Sequence, residues 1–464
     1  MNLPRSIHFT AMGGTGMEPL ARWCLEGGVK VTGSDRDPVA VNRLRRDGFQ
    51  CYQDHRARQV PRNADLLVCS TAVPKSNPEI AQARAIGIPV MERPDFLSKL
   101  FGGARTRIAI TGTHGKTTVT SMISHMLSEA HRTPDAIIGG KVMGKGSYYK
   151  GDGTLFVAEA DESNLGYQNL NPDVLVVNNL DFDHVDHYQN LHAIQEKILA
   201  FMASRQTKTT FVLPQDEGEG TGLLLRGSLR MGSLLRTQLR TLDTFGCGAM
   251  VDRAQLEGLI AEEGPRGMLL SVLYYGIPFG EFSLPFHGAY NARNARSAIA
   301  VGIRLGLTAE EIALGLAQFP GVHRRMEKLG ATRVGTIYSD YAHHPTAIRK
   351  AIDALSMKYP NRCITVVFEP HRSSRMEVHW QGFGDALNHS AVDRAYILPL
   401  FLAGEAPREG IDSSLVVRAC KKASLATPTE IAHIDEDPHR ILLFLGAGPI
   451  DEIARATMRE HSFA

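Results

Sequence analysis

Apolar residues in this chain gather in short blocks. Each block is closed by Gly, Asp or Asn and precedes a longer stretch of helical periodicity. Eight blocks set the pattern: "SIHFTAMGG", "ADLLVCSTA", "RIAITGTHG", "TLFVAEADE", "VLVVNNLD", "TIYSDYAHH", "CITVVFEPHR" and "ILLFLGAG". Bounded runs of this kind suit parallel strands buried on both faces, and the periodic stretches between them suit crossover helices. The predicted fold class is therefore α/β, with the arrangement repeated along the chain. Polar residues cluster just after the blocks, at the strand ends where open α/β sheets bind ligands. Residues 205–286 break the pattern: they hold strand-like pieces such as "GMLLSVLYY" in no predictable order.

Length turns this repetition into domains. At roughly 100–200 residues each, 464 residues suggest two to four. Glycine- and proline-punctuated stretches at "KLFGGARTR" and "AQFPGVHRR" suggest boundaries, giving predicted domains at 1–104, 105–318 and 319–464. A formal net charge of +2 argues against a strongly basic surface, so no nucleic-acid partner is expected. No apolar run reaches the roughly 18 residues of a membrane span, and "MNLPRSIHFTAM" holds no signal-like stretch. The expectation is a cytoplasmic protein without membrane insertion. Six scattered cysteines without a C-x-x-C pair read as reduced core thiols.

The richest chemistry lies in "RIAITGTHGKTTVTSMISHML", which reads as strand, tight loop and helix. Gly112 and Gly115 let backbone amides turn toward an anion, and the helix starting near Lys116 adds its N-terminal donors. Lys116 is placed to neutralise β- and γ-phosphates, and the Thr117 hydroxyl sits where a Mg²⁺ ligand belongs. The pattern G-x-x-x-x-G-K-[ST] nevertheless requires glycine at position 110, which is Ile110 here.

A nucleotide triphosphate needs a hard cation with oxygen ligands. Two later strand ends offer them: Glu159, Asp161 and Glu162 after one, and Asp181, Asp183, His184 and Asp186 after the other. Near the N-terminus, Gly13, Gly14 and Gly16 between strand and helix form a diphosphate cradle, with Asp35 spaced for a ribose. On its own that fingerprint would equally suit a dinucleotide, and so an oxidoreductase or nucleotide sensor.

"TGTHGKTT", "EADES" and "NNLDFDHVDHY", in this order, resemble the central domain of the Mur ligases, which build the peptide stem of peptidoglycan. That family uses the shorter loop T-G-T-x-G-K-T-T, which lacks the first glycine. "FTAMGGTGMEPLA", "VTGSD" and "NPEIAQA" resemble its uridine-nucleotide domain, with Ala11 in place of a usual glycine. "FHGAYNARNARSAIA" resembles its adenine-side segment, with Tyr290 in place of a usual histidine; "HRRME" resembles its hinge, and "YSDYAHHPT", "VFEPHRSSR" and "FLGAGPID" its C-terminal sheet. The resemblance implies three α/β domains: a Rossmann-like N-terminal domain, a central P-loop ATP-binding domain and a Rossmann-like C-terminal domain. It implies ATP contacts at Gly112, Thr113, His114, Gly115, Lys116, Thr117, Thr118, Asn291, Asn294, Arg325 and Asp340. Sugar-nucleotide contacts are expected at Gly13, Gly14, Thr15, Gly16, Met17, Ser34, Asp35, Ser70 and Asn77. Mg²⁺ is expected at Thr117, Glu159 and His184. Lys197 is near the position of a carbamylated lysine in some members but out of register.

The implied reaction is ATP-dependent amide formation through an acyl phosphate. The expected catalytic residues are Lys116, His343, Arg372 and Arg375, with Tyr341 beside the last three at the substrate. Guanidinium forks suit a carboxylate and an acyl phosphate, and His343 is suited to take a proton from the amine. The implied partners are UDP-N-acetylmuramate and L-alanine, and the implied state is a monomer or weak homodimer. "EPHRSSR" and "FLAGEAPREGIDSS" resemble the alanine-adding branch, whereas "NNLDFDHVDHYQNLHAIQ" is closer to the branch that recycles a preformed peptide.

Overall fold

The computed structural model describes residues 3–160, 170–181, 190–204, 209–214, 244–247, 256–264 and 266–463. The chain divides into two compact units. The first comprises residues 1–179, 197–247 and 297–315; the second comprises 180–196, 248–296 and 316–464.

The first unit holds two sheets. Strands β1 (Ser6–Thr10), β2 (Lys30–Asp35), β3 (Gln50–Gln53), β4 (Leu66–Cys69) and β5 (Val90–Glu92) form a five-stranded sheet in the order β3-β2-β1-β4-β5. Every pairing in it is parallel. The order reverses at β1, so the loop after β1 opens at a topological switch point, where such sheets bind ligands. The second sheet contains β6 (Thr106–Thr111), β7 (Asp135–Val142), β8 (Gly146–Tyr149), β9 (Leu155–Glu159), β10 (Val174–Val177), β11 (Thr210–Pro214) and β12 (Thr244–Cys247). They run in the order β12-β11-β10-β6-β9-β7-β8. Ile108, Ile110, Val157, Leu175 and Val176 are fully buried, as continuous apolar strands require.

The two sheets of this unit are pinned by aromatic packing. Trp23, on the helix Glu18–Glu26, and Phe101, on the helix Arg93–Gly102, both lie against Phe156 of β9, at centroid distances of 6.0 and 5.8 Å. The Trp23 indole N–H donates to Asp135 Oδ1 at 2.8 Å, and Lys150 Nζ caps the ring at 4.5 Å. These contacts satisfy the polar edge of a buried indole while its face fills the core.

In the second unit, β13 (Leu256–Gly264), β14 (Gly267–Tyr274) and β15 (Ile277–Leu284) form an antiparallel meander. A six-stranded sheet follows: β16 (Glu327–Thr332), β17 (Gly335–Asp340), β18 (Ile364–Phe368), β19 (Val392–Ile397), β20 (Ala423–Leu425) and β21 (Ile441–Leu445), in the order β16-β17-β21-β18-β19-β20. Only β16 pairs antiparallel. Ile364, Val366, Phe368 and Leu443 form its dry centre under the helices Pro345–Lys358 and Ser373–Leu387. The irregular stretch of the sequence thus contains two parallel strands, β11 and β12, and the meander. Among the described residues, no helix is long and apolar enough to cross a membrane.

Candidate functional site

The predicted phosphate loop follows from its strand. Ile110 is fully buried in β6 and pairs with both Val176 and Glu159, so an apolar side chain belongs there. The turn begins two residues later. Gly112 has φ +128°, and a β-carbon on it would stand 2.7 Å from the Asn179 carbonyl oxygen, so only glycine fits. Gly115, at φ +81°, opens the helix Lys116–Glu129. Lys116 Nζ donates to the carbonyls of Gly112 at 2.7 Å and Thr113 at 3.4 Å, which holds the ammonium across the loop mouth. Thr118 is half-buried on the first helical turn.

Two asparagines that carried no predicted role shape this loop. Asn179 Oδ1 accepts from the His114 amide at 2.8 Å, and its carbonyl accepts from Thr113 at 3.1 Å. The side-chain amides of Asn178 and Asn179 both donate to the His114 carbonyl. Both asparagines lie in "NNLD", directly after β10, where their position beyond a buried strand was the available signal.

Glu159 ends β9 beside the loop. Its Oε2 accepts from Thr117 Oγ1 at 3.2 Å and its Oε1 from the Gly139 amide at 2.6 Å. A hydroxyl and a carboxylate this close give an all-oxygen donor set, which fits a hard divalent cation. His184, Asp161, Glu162, Asp183 and Asp186 lie outside the described residues. Lys197 lies on the exposed side of the helix Leu191–Ser204.

The glycine loop after β1 faces the same space. A cavity of about 370 Å³ is lined by Gly14, Thr15, Gly16, Met17 and Ser70 from one sheet, and by Lys116, Gly139 and Glu159 from the other. Arg93, which sequence reasoning did not single out, also lines it. Asp35 braces the loop: its Oδ2 accepts from the Gly13 amide at 2.7 Å and its Oδ1 from the Asp37 amide at 2.9 Å. Ala11 takes φ +64°, a left-handed conformation that costs an L-residue about 1 kcal/mol.

Ser34 and Asn77 turn inward. Asn77 Oδ1 caps the helix Pro78–Ala85 by accepting from the Glu79 amide. Ser34 Oγ donates to Glu79 Oε2 at 2.7 Å, and Thr10 Oγ1 donates to the same oxygen at 2.8 Å. Glu79 is fully buried, with His8 Nε2 3.5 Å and His55 Nδ1 3.8 Å from Oε2. Burial opposes its charge, but the hydrogen bond and charge of His8, followed by the Ser34 and Thr10 hydroxyls, hold the carboxyl below its usual range. This ionised group ties together the C-terminal ends of β1 and β2, from which the glycine loop hangs.

The second unit carries the remaining predicted residues. Asp340 ends β17 and accepts from the amides of Met326 at 2.6 Å and Ala342 at 2.7 Å. Burial pushes its carboxyl up, against the lowering effect of Arg325. Arg325 and Arg324 lie over the Tyr341 ring at 5.0 and 4.9 Å. His344 caps the helix Pro345–Lys358, whereas His343 packs between Tyr341 and His371. The capping role therefore belongs to His344. Arg372 is half-exposed, with Nε 3.7 Å from Glu405 Oε1; Arg375 is buried, its Nη1 3.2 Å from His371 Nδ1. Burial, followed by the charges of Arg375 and Arg372, pushes the His371 ring down to about 4, so it stays neutral beside them. Asn291 donates to the His287 carbonyl at 2.9 Å, and both Asn291 and Asn294 are buried. Tyr290 lies against Gly288, its phenol pushed up by burial and by Asp340.

Residues 6–105 match the domain described as "Mur ligase family, catalytic domain", 110–302 the "Mur ligase middle domain", and 324–447 the "Mur ligase, glutamate ligase domain". The chain is 33% identical over 468 residues to a UDP-N-acetylmuramate–L-alanine ligase of Desulfatibacillum aliphaticivorans, covering 98% of this chain and 99% of that one. It is 35% identical over 455 residues to the enzyme of the same name from Oleidesulfovibrio alaskensis, covering 96% of each. Among solved structures it is similar to the UDP-N-acetylmuramate-alanine ligase of Thermotoga maritima (TM-score 0.78, 26% identity, 98% of each chain). It shares its fold with a murein peptide ligase of Psychrobacter arcticus (TM-score 0.70, 20% identity, 98% of each chain). Three matched domains and full-length relatives make this chain a member of the Mur ligase family.

Proposed function

We propose that the protein is an ATP-dependent amide ligase that joins L-alanine to the carboxylate of UDP-N-acetylmuramate, a cytoplasmic step of peptidoglycan precursor synthesis. The observation that carries this reading is the cavity in the first unit. There a glycine loop suited to a diphosphate faces a triphosphate loop and the Thr117–Glu159 pair. The names of the full-length relatives support the same substrate pair.

A carboxylate is a poor electrophile because it is anionic and resonance-stabilised, so it must be activated before an amine attacks. One carboxylate oxygen bonds to the γ-phosphorus as the bond to the ADP oxygen breaks. The alanine nitrogen then attacks the acyl carbon, and phosphate departs as the tetrahedral species collapses. Negative charge accumulates at both stages, so cationic and dipolar groups aimed at it lower the barrier. Lys116 and the loop amides hold the triphosphate. Thr117 and Glu159 would hold Mg²⁺, with His184 as the further expected ligand; when bound, the ion would screen the phosphate oxygens. Arg372 and Arg375 are assigned to the alanine carboxylate and acyl phosphate, and His343 to the proton leaving the ammonium group.

The test is a coupling assay with ATP, Mg²⁺ and UDP-N-acetylmuramate, read by product mass. The expected product carries one added L-alanine and forms with one ADP. Efficient coupling of the L-Ala-γ-D-Glu-diamino-acid tripeptide, with negligible coupling of L-alanine, would overturn the assignment in favour of a recycling ligase.

A further inference from the structure

Arg93 is the first residue of the helix Arg93–Gly102, directly after β5. Its side chain lies across the glycine loop: a β-carbon on Gly16 would sit 3.1 Å from its Cδ, Nε and Cζ. The same side chain lines the cavity shared with Lys116 and Glu159. It is half-buried, and among the described residues it has neither a hydrogen-bond nor an ion-pair partner. A partly desolvated guanidinium without a counter-charge is unfavourable until an anion reaches it, and its planar fork matches two phosphate oxygens.

We propose that Arg93 grips the diphosphate of the sugar nucleotide, closing over the loop Gly14–Gly16 from the side opposite the backbone. The assignment rests on the sugar-nucleotide reading given above. The anion is the diphosphate rather than the ATP triphosphate because Arg93 touches the glycine loop, whereas the triphosphate loop has its own cation in Lys116. Diphosphate takes precedence over the sugar carboxylate for the same reason. Gly16 then has a second purpose. A β-carbon there would press on Arg93, whose side chain would have to give way by a few tenths of an ångström.

Calorimetric titration in the absence of ATP tests this, using UDP, UDP-N-acetylmuramate and a non-hydrolysable ATP analogue against wild type, Arg93→Met and Arg93→Lys. Arg93→Met should weaken UDP and UDP-N-acetylmuramate by the same factor, about 10- to 100-fold, as expected for a lost charge-assisted pair. Arg93→Lys should fall between, and binding of the ATP analogue should stay within about twofold. In turnover, KM for the sugar nucleotide should rise while kcat stays within about threefold, with an unchanged melting temperature reporting an intact fold. Wild-type affinity of Arg93→Met for UDP would overturn the inference alone. A loss confined to UDP-N-acetylmuramate, or to the ATP analogue, would also overturn it, by moving Arg93 to the sugar carboxylate or to the triphosphate. If wild type binds neither uridine nucleotide, the sugar-nucleotide reading fails and the inference fails with it.

Discussion

Gly139→Ala should disable the enzyme while barely changing its stability. Gly139 sits in β7 with an ordinary negative φ, so alanine suits the backbone. The obstacle is Glu159. A β-carbon at position 139 would lie 2.7 Å from Oε2, closer than such atoms approach, and 3.1 Å from Cδ and Oε1. The carboxylate is the movable partner, being the far end of a side chain, so it must swing away. Doing so gives up the 2.6 Å bond from the Gly139 amide and the 3.2 Å contact with Thr117. A hydrogen bond to a charged group is worth about 1.5–3 kcal/mol, which corresponds to a roughly 10- to 150-fold smaller population of the oriented carboxylate. We therefore expect kcat/KM to fall by about that factor and the Mg²⁺ concentration for half-maximal rate to rise. The melting temperature should fall by no more than a few degrees. Gly102→Ala is the control, because nothing lies within 4 Å of a β-carbon there. The assay is ADP release titrated with Mg²⁺. Wild-type turnover and Mg²⁺ dependence in a folded Gly139→Ala variant would refute the placement of Glu159 as an ion ligand held by this strand.

Lys116→Ala and Glu159→Ala should each cost at least about 10²-fold in kcat with the fold intact by circular dichroism, and near-normal activity from either would remove the proposed site. Arg375→Lys keeps the charge but loses the planar fork against His371; the defect should appear with L-alanine or in kcat, and a rise confined to KM for ATP would show the residue misassigned. Ala11→Gly relieves the left-handed strain at φ +64° and should stabilise by about 0.5–1 kcal/mol after the entropy of a freer unfolded chain is subtracted; an unchanged or lower melting temperature would contradict this. Burial pushes the Glu369 carboxyl up from 4.5 to about 7, against the backbone amides of Ile450 and Gly448 that lower it. Because the folded value is the higher one, its contribution to stability is complete below 4.5 and is lost as pH rises through about 7. Glu369→Gln should therefore gain melting temperature relative to wild type at pH 8 more than at pH 5, and a difference independent of pH would count against the shift.

The strands and the tight loop after β6 were legible because their signals are local. Each of the eight apolar blocks contains a strand, to within one residue at the strand's start: β1, β4, β6, β9, β10, β17, β18 and β21. Burial on both faces writes itself as an uninterrupted apolar run. Edge strands such as β5, β8 and β20 are short and half-exposed, and their composition does not separate them from loops. The glycine loop at Gly112 and Gly115 was legible for a different reason. Glycines, a lysine and a hydroxyl at fixed spacing between strand and helix meet a backbone requirement that involves few distant residues.

What only the tertiary structure decided is how side chains far apart in sequence divide their hydrogen bonds. The resemblance of "VTGSD" and "NPEIAQA" makes Ser34 and Asn77 expected sugar-nucleotide contacts; in the structure the Ser34 hydroxyl donates to Glu79 and Asn77 Oδ1 caps a helix. Glu79, on the helix Pro78–Ala85, carried no signal of its own, since its meaning comes from His8 and Thr10 of β1 and Ser34 of β2. His343 and His344 are adjacent and chemically identical; the helix start at Pro345 makes one a cap and leaves the other beside His371. Arg93 lies 77 positions from Gly16 and meets it only because β4 and β5 bring its helix to the end of β1. Sequence determines the pattern of burial and the local turns, because periodicity and steric limits act within a few residues. Which polar group faces a ligand and which is spent inside the protein depends on neighbours supplied by the sheet order, and a linear pattern does not contain those neighbours.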